Sequence, residues 1–268
     1  MKQHMTSRPP SVLSIAGSDS GGGAGIQADL KTFSAFNVHG LTAIAALTAQ
    51  NTRGVTAVHV PPVSFLREQI HCLFADFDVK AVKLGMLASA EVIETVVSAL
   101  KEHGAKNIVV DPVMVSTTGA RLLDSSALDA MRNLLLPMAS LVTPNLPEAE
   151  LLCSRKITTL SAMQDAAIHL HEQGSAAILM KGGHLTNDDN QPTDQVVDYL
   201  FDGQKIVEFS HARLHIEGHG TGCTLSSAIA ANLALGLQLE AACKAAEEFI
   251  FGALENAYQP GLGEISVL

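Results

Sequence analysis

The sequence predicts an α/β fold in which a mostly parallel β-sheet carries helices on both faces. Short apolar runs alternate with segments of helical periodicity from Ser11 to Tyr258, the order expected of βαβ units with right-handed crossovers. Hydrophobic residues make up 47% of the chain and charged residues only 16%, a balance suited to a sheet buried on both faces. No linker interrupts the pattern, so we expect one domain over residues 11–268, after a flexible tail at residues 1–10.

The first part of the chain predicts a strand, a glycine-rich loop and a helix. Ser11–Gly17 is an apolar run that ends in glycine, and the loop GSDSGGGAGIQAD extends from Gly17 to Asp29. In α/β sheets this layout binds ligands beyond the carboxyl ends of the strands. The loop lacks the Gly-Lys-Ser/Thr ending of a P-loop and fits the dinucleotide-binding glycine spacing only loosely. A flexible turn is therefore an equally good interpretation.

The rest of the chain continues the alternation. Further strands are predicted at 41–49, 55–60 (an edge strand or part of a flap), 81–84, 107–110, 141–143 and 176–180. Helices are predicted at 63–74, 89–103, 125–135, 145–153, 160–173 and 239–258. A β-hairpin is predicted over 195–210. Parallel strands end at one edge of a sheet, so their terminal residues should lie together. These residues are Gly17, Gln50, Gly85, Asp111, Thr143 and Lys181.

The strongest local signal is a glycine-rich turn near the end of the chain. In the segment Glu217–Leu233, glycines alternate with His219, Thr221 and Cys223, and a helical pattern follows at once. The first N–H groups of a helix have no internal partner and can bind a phosphate. Cys223 falls in the first turn, where the helix dipole is expected to favour the thiolate and make the sulfur a base or nucleophile. From this stretch alone, a tight connection with a small buried cysteine remains open.

Three further residues suggest a site for a hard cation. Asp111 follows an apolar strand, and Mg²⁺ prefers carboxylate oxygens; a structural acid at the strand exit is the alternative. Asn145 and Glu148 have the spacing of a helix capping box. A helix capped in this way could still direct Glu148 toward a metal, so the two interpretations are compatible.

Two polar residues at strand ends suggest contacts to a substrate and to phosphate. Gln50 can both donate and accept hydrogen bonds, so it could bind the edge of an aminopyrimidine or an amide. Lys181 could place a point charge on a transferring phosphate. A solvated loop glutamine and a surface lysine are the structural alternatives.

Charge and cysteine content exclude several classes of protein. The net charge of −10 and the absence of a run of Lys or Arg argue against binding to nucleic acid or an anionic membrane. Four widely spaced cysteines without a C-x-x-C motif indicate neither a zinc knuckle nor a disulfide framework. The most apolar stretch, Gly40–Ala49, is too short to span a membrane. We therefore expect a cytoplasmic protein with reduced thiols.

Seven segments, taken in order, resemble the bacterial hydroxymethylpyrimidine/phosphomethylpyrimidine kinases of thiamine biosynthesis, which belong to the ribokinase-like superfamily. These segments are Ile15–Asp29, Thr42–Thr52, Lys83–Leu87, Asp111–Met114, Asn145–Glu148, Lys181–His184 and Gly220–Ser227. They extend over nearly the whole chain and are far more specific than a single glycine motif. One departure is Glu217-Gly218, where the family pattern has Asn-Thr.

The resemblance implies a ribokinase-like three-layer α/β sandwich and an ATP- and Mg²⁺-dependent kinase that forms a homodimer. The implied substrate is 4-amino-5-hydroxymethyl-2-methylpyrimidine, whose monophosphate then receives a second phosphate. Gln50 would pair with the pyrimidine. The residues implied to line the pyrimidine pocket are Ala24, Asp29, Met86 and Val113.

The resemblance also assigns catalytic and nucleotide-binding roles. Cys223 would stand where most ribokinase relatives have an aspartate base. Lys181 would contact the phosphates. The residues implied to organise the metal and the triphosphate are Asp111, Asn145 and Glu148, and the N–H groups implied to bind the transferred phosphate are those of Gly220, Thr221, Gly222 and Cys223.

Three other functions remain open at this point. A pyridoxal or pyridoxine kinase of the same superfamily can share the Gly-Thr-Gly-Cys turn. A non-catalytic ligand sensor could retain the fold, although Asp111, Lys181 and Cys223 favour an enzyme. A hydrolase built on Cys223 and His219 is the third alternative, but a nearby Cys and His do not by themselves make an oriented catalytic pair.

Overall fold

The computed structural model describes residues 8–114, 126–183, 185, 194–214, 216 and 218–268. Four features expected from the sequence fall partly outside these ranges: residues 1–7 of the expected tail, Ser125 at the start of an expected helix, His184, and Glu217. No helix in the described part of the chain is long and apolar enough to cross a membrane.

A single nine-stranded sheet forms the centre of the molecule. Its strands are β1 (Ser11–Asp19), β2 (His39–Asn51), β3 (Gly54–His59), β4 (Val79–Leu84), β5 (Ile108–Val110), β6 (Leu141–Val142), β7 (Ile178–Met180), β8 (Gln195–Phe201) and β9 (Ile206–Ala212). The strand order is β3-β2-β1-β4-β5-β6-β7-β8-β9. All pairs from β2 to β7 are parallel, whereas β3, β8 and β9 are joined to their neighbours by antiparallel pairing. The predicted mostly parallel sheet is confirmed.

Helices cover both faces of this sheet and enclose two apolar cores. The helices are α1 (Gly25–Ala35), α2 (Val63–Asp76), α3 (Ala90–Glu102), α4 (Ala127–Ala130), α5 (Leu146–Cys153), α6 (Leu160–Glu172), α7 (Thr221–Ala234) and α8 (Leu239–Glu255). Buried residues of α2 to α6 share one core, and buried residues of α1, α7 and α8 share the other. The predicted arrangement of a sheet between two helical layers is confirmed.

The position of α7 follows from its small side chains. Ala228, Ala230 and Ala231 are fully buried, and Ser226 and Ser227 are buried beside them. Small residues allow a helix backbone to approach its neighbours closely, and α7 contacts β1, β4, β5, α1 and α8. The first turn of α7 is therefore held firmly next to the strand ends.

One expected element takes a different form, and for another the structure decides between the two expected alternatives. The helix expected at 125–135 is an α-helical turn, α4, that continues as a π-helical segment at Met131–Leu135 and a 3₁₀ segment at Leu136–Met138. Pro137 has no backbone N–H to donate and cannot continue an α-helix, which explains the change of helix type. The strand expected at 55–60 is β3, an edge strand of the main sheet rather than part of a separate flap.

One element has no counterpart in the sequence prediction. Strands β10 (Gly218–His219) and β11 (Ser266–Val267) form a two-stranded parallel sheet. The helix expected to reach Tyr258 ends at Glu255, and Tyr258 instead pairs with Val267. The last residues of the chain thereby support the segment that leads into α7. Strands of two residues are too short to show a period of alternation.

We expect Leu100→Ala to destabilise the fold strongly. Leu100 lies on α3 and is 1% exposed within the core shared by α2 to α6. Removing its side chain should lower the free energy of unfolding by about 2–5 kcal/mol, because it loses apolar burial and leaves a cavity. Urea denaturation measures this change. Leu262→Ala is the control: Leu262 is 86% exposed, and its loss should change stability by less than about 0.5 kcal/mol. Similar losses in both variants would contradict the described core.

Candidate active site

A cavity of about 640 Å³ opens at the carboxyl edge of the parallel strands. It runs from the end of β2 past the first turn of α7 to β8 and β9. Twelve of the thirteen site residues expected from the sequence line it: Gln50, Ala24, Met86, Val113, Asp111, Asn145, Glu148, Lys181, Gly220, Thr221, Gly222 and Cys223. Of the six strand-end residues expected to converge, Gly17, Gln50, Asp111 and Lys181 line the cavity, whereas Gly85 and Thr143 do not.

The start of α7 requires glycine at position 220 and leaves little room for a side chain at position 222. Gly220 has a φ of 81°, and a Cβ atom there would lie 1.9 Å from the carbonyl oxygen of Gly23. A Cβ atom on Gly222 would lie 3.0 Å from Lys181 Nζ and 3.3 Å from Asp111 Oδ2. The backbone at the start of α7 thus comes close to one cationic and one anionic side chain. The free N–H groups of a 14-residue helix point to the same place, which makes it an anion site.

Asp111 and Lys181 form an ion pair within the cavity. Lys181 Nζ lies 2.9 Å from Asp111 Oδ1, and Asp111 is buried. Burial alone would lower the pKa of Lys181, but the nearby Asp111 and Glu148 carboxylates raise it above its usual value. Lys181 therefore keeps its charge at neutral pH. Thr143 Oγ1, at the end of β6, lies 3.4 Å from Asp111 Oδ1 and helps to orient the carboxylate.

Asn145 and Glu148 form the predicted capping box and also line the cavity. Asn145 Oδ1 accepts a hydrogen bond from the Glu148 N–H at 2.9 Å, and Glu148 Oε2 accepts one from the Asn145 N–H at 2.8 Å. Burial raises the pKa of Glu148 to about 7, with Asp111 adding to the rise and Lys181 opposing it. Glu148 thus completes the capping box and also borders the cavity.

The donor set at Asp111 and Glu148 fits a magnesium ion. Mg²⁺ is usually held by one or two carboxylates together with water and substrate phosphates, not by a full cage of protein ligands. A cation between the two carboxylates would offset the repulsion that contributes to the raised pKa of Glu148. Among the described residues, no group of three or more His, Cys, Asp and Glu is arranged to hold a metal by itself.

Cys223 lies in the first turn of α7, but its thiol is not activated as expected. Burial raises the pKa of Cys223 to about 11, and the carboxylates of Asp111 and Asp29 add to the rise. The ammonium of Lys83 and the Gly25 N–H lower it, but not enough to compensate. The expectation that the helix dipole favours the thiolate is therefore corrected. Desolvation outweighs the dipole, and the resting residue is a thiol.

A buried ion pair beneath Cys223 was not anticipated from the sequence. Lys83 is fully buried, and its Nζ lies 2.8 and 3.1 Å from the two carboxylate oxygens of Asp29. Asp29 also accepts hydrogen bonds from Ser14 Oγ at 2.5 Å and from Ser227 Oγ at 2.7 Å. Asp29 does not line the cavity, whereas Lys83 does. The sequence feature that could have indicated this pair is a lysine within an apolar strand, because lysine is rarely buried without a partner.

A second unanticipated network connects the glycine-rich loop with Gln50. Asp19 Oδ2 accepts hydrogen bonds from the N–H groups of Gly23 and Ala24 at 3.0 and 2.9 Å, which fixes the loop before α1. His219 Nε2 lies 3.1 Å from Asp19 Oδ2 and 3.1 Å from Gln50 Nε2. Burial acts to raise the pKa of Asp19, but these hydrogen bonds bring it below its usual value. The Asp19 carboxylate therefore holds both the loop and the ring beside Gln50.

Comparison with known proteins gives a consistent result. Residues 19–267 match the family model described as phosphomethylpyrimidine kinase. The hydroxymethylpyrimidine/phosphomethylpyrimidine kinase of Rhizobium meliloti is 47% identical over 254 residues, covering 94% of this chain and 93% of that protein. The thiamine biosynthesis bifunctional protein ThiED of Geobacter sulfurreducens is 46% identical over 94% of this chain. The chain spans about half (51%) of that longer relative.

Solved structures give the same fold. The phosphomethylpyrimidine kinase of Clostridium difficile superposes with a TM-score of 0.81 at 40% identity, over 91% of this chain and 99% of that chain. The pyridoxal kinase of Staphylococcus aureus in complex with AMP-PCP and pyridoxal superposes with a TM-score of 0.87 at 30% identity, over 97% and 93%. The resemblance drawn from the seven segments is confirmed. The chain belongs to the phosphomethylpyrimidine kinase family and has its ribokinase-like fold.

Proposed function

We propose that this protein transfers phosphate from ATP to 4-amino-5-hydroxymethyl-2-methylpyrimidine and then phosphorylates the monophosphate, as a kinase of thiamine biosynthesis. The observation that carries the proposal is the single cavity shared by Gln50, the first turn of α7 and the Asp111–Lys181 pair. It provides a place for a small polar ring, an anion site and a charged pair next to it. The family assignment and the curated relatives support the same activity.

The pyrimidine occupies the end of the cavity near β2. Gln50 offers an amide that can donate to a ring nitrogen and accept from the exocyclic amine of an aminopyrimidine. Met86, Val113 and Ala24 provide apolar contact surface along the same wall. The His219 ring lies beside this amide, with its Nε2 3.1 Å from Gln50 Nε2.

Phosphoryl transfer depends mainly on alignment and on neutralisation of charge. The N–H groups at the start of α7 and the ammonium of Lys181 bind the phosphate in transfer. Asp111 and Glu148 would hold Mg²⁺, which would supply positive charge to neutralise the phosphates. Asn145 fixes Glu148 through the capping box.

Cys223 acts as the general base in the first transfer. The thiol, which is protonated at rest, first loses its proton to solvent. The resulting thiolate accepts the proton of the hydroxymethyl group while the alcohol oxygen attacks the terminal phosphorus of ATP, and ADP leaves. Lys83 is a positioning residue, because its charge favours the thiolate against the effect of burial. The second transfer needs no such proton acceptor when the attacking phosphate is already ionised.

A pyridoxal kinase is the second candidate function. The observation that favours it is the TM-score of 0.87 to a pyridoxal kinase bound to pyridoxal, against 0.81 to a phosphomethylpyrimidine kinase. Sequence identity ranks the two in the opposite order, at 30% and 40%. We give more weight to identity, because substrate choice depends on side chains and the fold is common to both groups.

Three properties of the whole protein are proposed on the family resemblance. We propose one domain, a homodimer and a cytoplasmic location. One sheet that connects β1 to β9 supports the single domain. Cys72, Cys153, Cys223 and Cys243 are all free thiols, as expected in a reducing compartment.

The purified protein with MgATP should convert the hydroxymethylpyrimidine first to its monophosphate and then to its diphosphate. Mass spectrometry of the reaction identifies both products, and a parallel reaction with pyridoxal tests the second candidate. The pyrimidine should react faster, because Gln50 matches its amine and ring nitrogen. Faster turnover of pyridoxal would reverse the choice between the two functions. ATP hydrolysis with neither product would refute both.

Cys223→Ala should slow the first transfer much more than the second. Loss of a general base typically costs about 10²- to 10⁴-fold, and only the alcohol acceptor must lose a proton. The measurement is single-turnover transfer to the pyrimidine alcohol and, separately, to its monophosphate. Cys72→Ala is the matched control, because Cys72 is an exposed free thiol, and it should leave both rates unchanged. Equal losses in the two steps would contradict the base assignment.

Lys83→Met should raise the pKa of Cys223 further above about 11. The thiolate fraction at a given pH then falls, so Cys223 should react more slowly with iodoacetamide between about pH 7 and pH 10. Peptide mapping by mass spectrometry follows Cys223 separately from the exposed Cys72.

The paired variant Asp29→Asn with Lys83→Met controls for the buried carboxylate that Lys83→Met leaves without its cation. Asp29 raises the pKa of Cys223 less than Lys83 lowers it. The paired variant should therefore still slow the alkylation of Cys223, by a smaller factor. An unchanged rate in a folded paired variant would remove Lys83 from the mechanism.

A further inference from the structure

A buried pair of acids lies at the end of the cavity opposite to Gln50. Asp198 on β8 and Glu247 on α8 both line the cavity, and they are 5% and 7% exposed. Asp198 Oδ1 accepts a hydrogen bond from the Gly182 N–H at 2.7 Å, directly after Lys181. The proposed reaction uses neither acid.

One oxygen of Glu247 has no partner. Among the described residues, no hydrogen-bond donor or acceptor pairs with Glu247 Oε1, although the atom is buried. The Glu247 carboxyl group contacts Asp198, and Glu247 Oε2 lies 4.0 Å from His211 Nε2 on β9. A buried polar atom without a partner is costly and rare in folded proteins. Because Glu247 borders the cavity, a bound molecule can supply the missing hydrogen bond.

The protonation of the pair determines what kind of group can bind. Burial raises the pKa of Glu247 to about 10, and Asp198 adds to the rise while Lys181 opposes it. His211 and Arg213 are the other basic residues bordering this end of the cavity. At neutral pH Glu247 is therefore protonated and donates a hydrogen bond to Asp198. Its other oxygen is then a carbonyl-type oxygen that can only accept a hydrogen bond.

The order of strands gives the direction of the bound nucleotide. Gln50 ends β2, Asp111 follows β5, Lys181 follows β7 and Asp198 lies on β8, so these residues succeed one another across the sheet. The phosphate groups belong in the middle, next to Lys181 and the start of α7. An acceptor oxygen beside a carboxylate would repel phosphate, so the far end takes the uncharged part of the nucleotide.

We propose that Glu247, held in place by Asp198, accepts a hydrogen bond from a donor group on the nucleoside of ATP. The donor is either a ribose hydroxyl or the amino group of the base, since both present N–H or O–H groups to an acceptor. This inference rests on the proposed function, because it requires ATP in the cavity. It makes Glu247 a specificity-determining residue for the nucleotide.

The test compares nucleotides that each lack one donor. Dissociation constants for ATP, 2′-deoxy-ATP, 3′-deoxy-ATP and the analogue without the 6-amino group are measured by calorimetry on the full chain with Mg²⁺. We expect one analogue to bind the wild-type protein about tenfold more weakly than ATP, because it leaves Glu247 Oε1 unpaired. That analogue identifies the donor.

Two variants connect the lost affinity to Glu247. In Glu247→Met the acceptor is absent, so ATP and the identified analogue should bind equally well. In Glu247→Gln the difference should persist, because the amide can donate to Asp198 and present its carbonyl oxygen to the ligand. Glu248→Met is the matched control, because Glu248 is an exposed glutamate next to Glu247 on α8, and it should retain the full difference.

The possible outcomes separate this inference from the proposed function. If all three analogues bind the wild-type protein as well as ATP does, the inference is wrong, and no variant is needed to decide. It is also wrong if the difference persists in a folded Glu247→Met protein. Failure of the wild-type protein to bind ATP at all would instead refute the proposed function.

Discussion

The site depends on how closely the first turn of α7 approaches the ends of the central strands. Alanine and serine on the buried face of α7 allow this approach, and Gly220 and Gly222 extend it to the turn. The Asp111–Lys181 pair then lies against the backbone, 2.9 Å between Nζ and Oδ1. A side chain at Gly222 would press against the ammonium of Lys181, because its Cβ atom would lie 3.0 Å from Nζ. Because no side chain lies between them, the start of α7, Lys181 and Asp111 can act on the same phosphate.

Two buried ion pairs lie beside the first turn of α7, and they differ in how easily they can exchange partners. Lys181 and Asp111 border the cavity, where an incoming nucleotide and a metal can reorganise them. Lys83 and Asp29 lie deeper, and two serine hydroxyls complete the hydrogen bonds of the Asp29 carboxylate. A fully satisfied buried pair resists reorganisation. It therefore provides a fixed positive charge beneath Cys223, while the pair at the surface of the cavity is free to exchange partners.

The sequence predicted the sheet, its helical layers and most of the cavity wall, because these depend on local periodicity and on the rule that parallel strands end at one edge. It did not predict contacts between distant segments. The Asp19–His219 contact joins residues 200 positions apart, and Ser227 reaches Asp29 over 198. The wrong expectation that Cys223 would favour the thiolate has the same origin. A helix start is visible in a sequence, but the desolvation that raises the pKa to about 11 is a property of the assembled site.

In the proposed function one cavity takes two different acceptors, and the raised pKa of Cys223 is compatible with both. An aspartate base would be ionised at neutral pH and would repel the phosphate of the monophosphate substrate, at a cost that grows in a site of low dielectric constant. A neutral thiol carries no such charge. After the thiol loses its proton to solvent, the thiolate, which Lys83 favours, can accept the proton of the alcohol, whereas the thiol can remain protonated when the acceptor is an anion. Cysteine in place of aspartate is thus suited to a kinase that must phosphorylate an alcohol and then a phosphate in the same place.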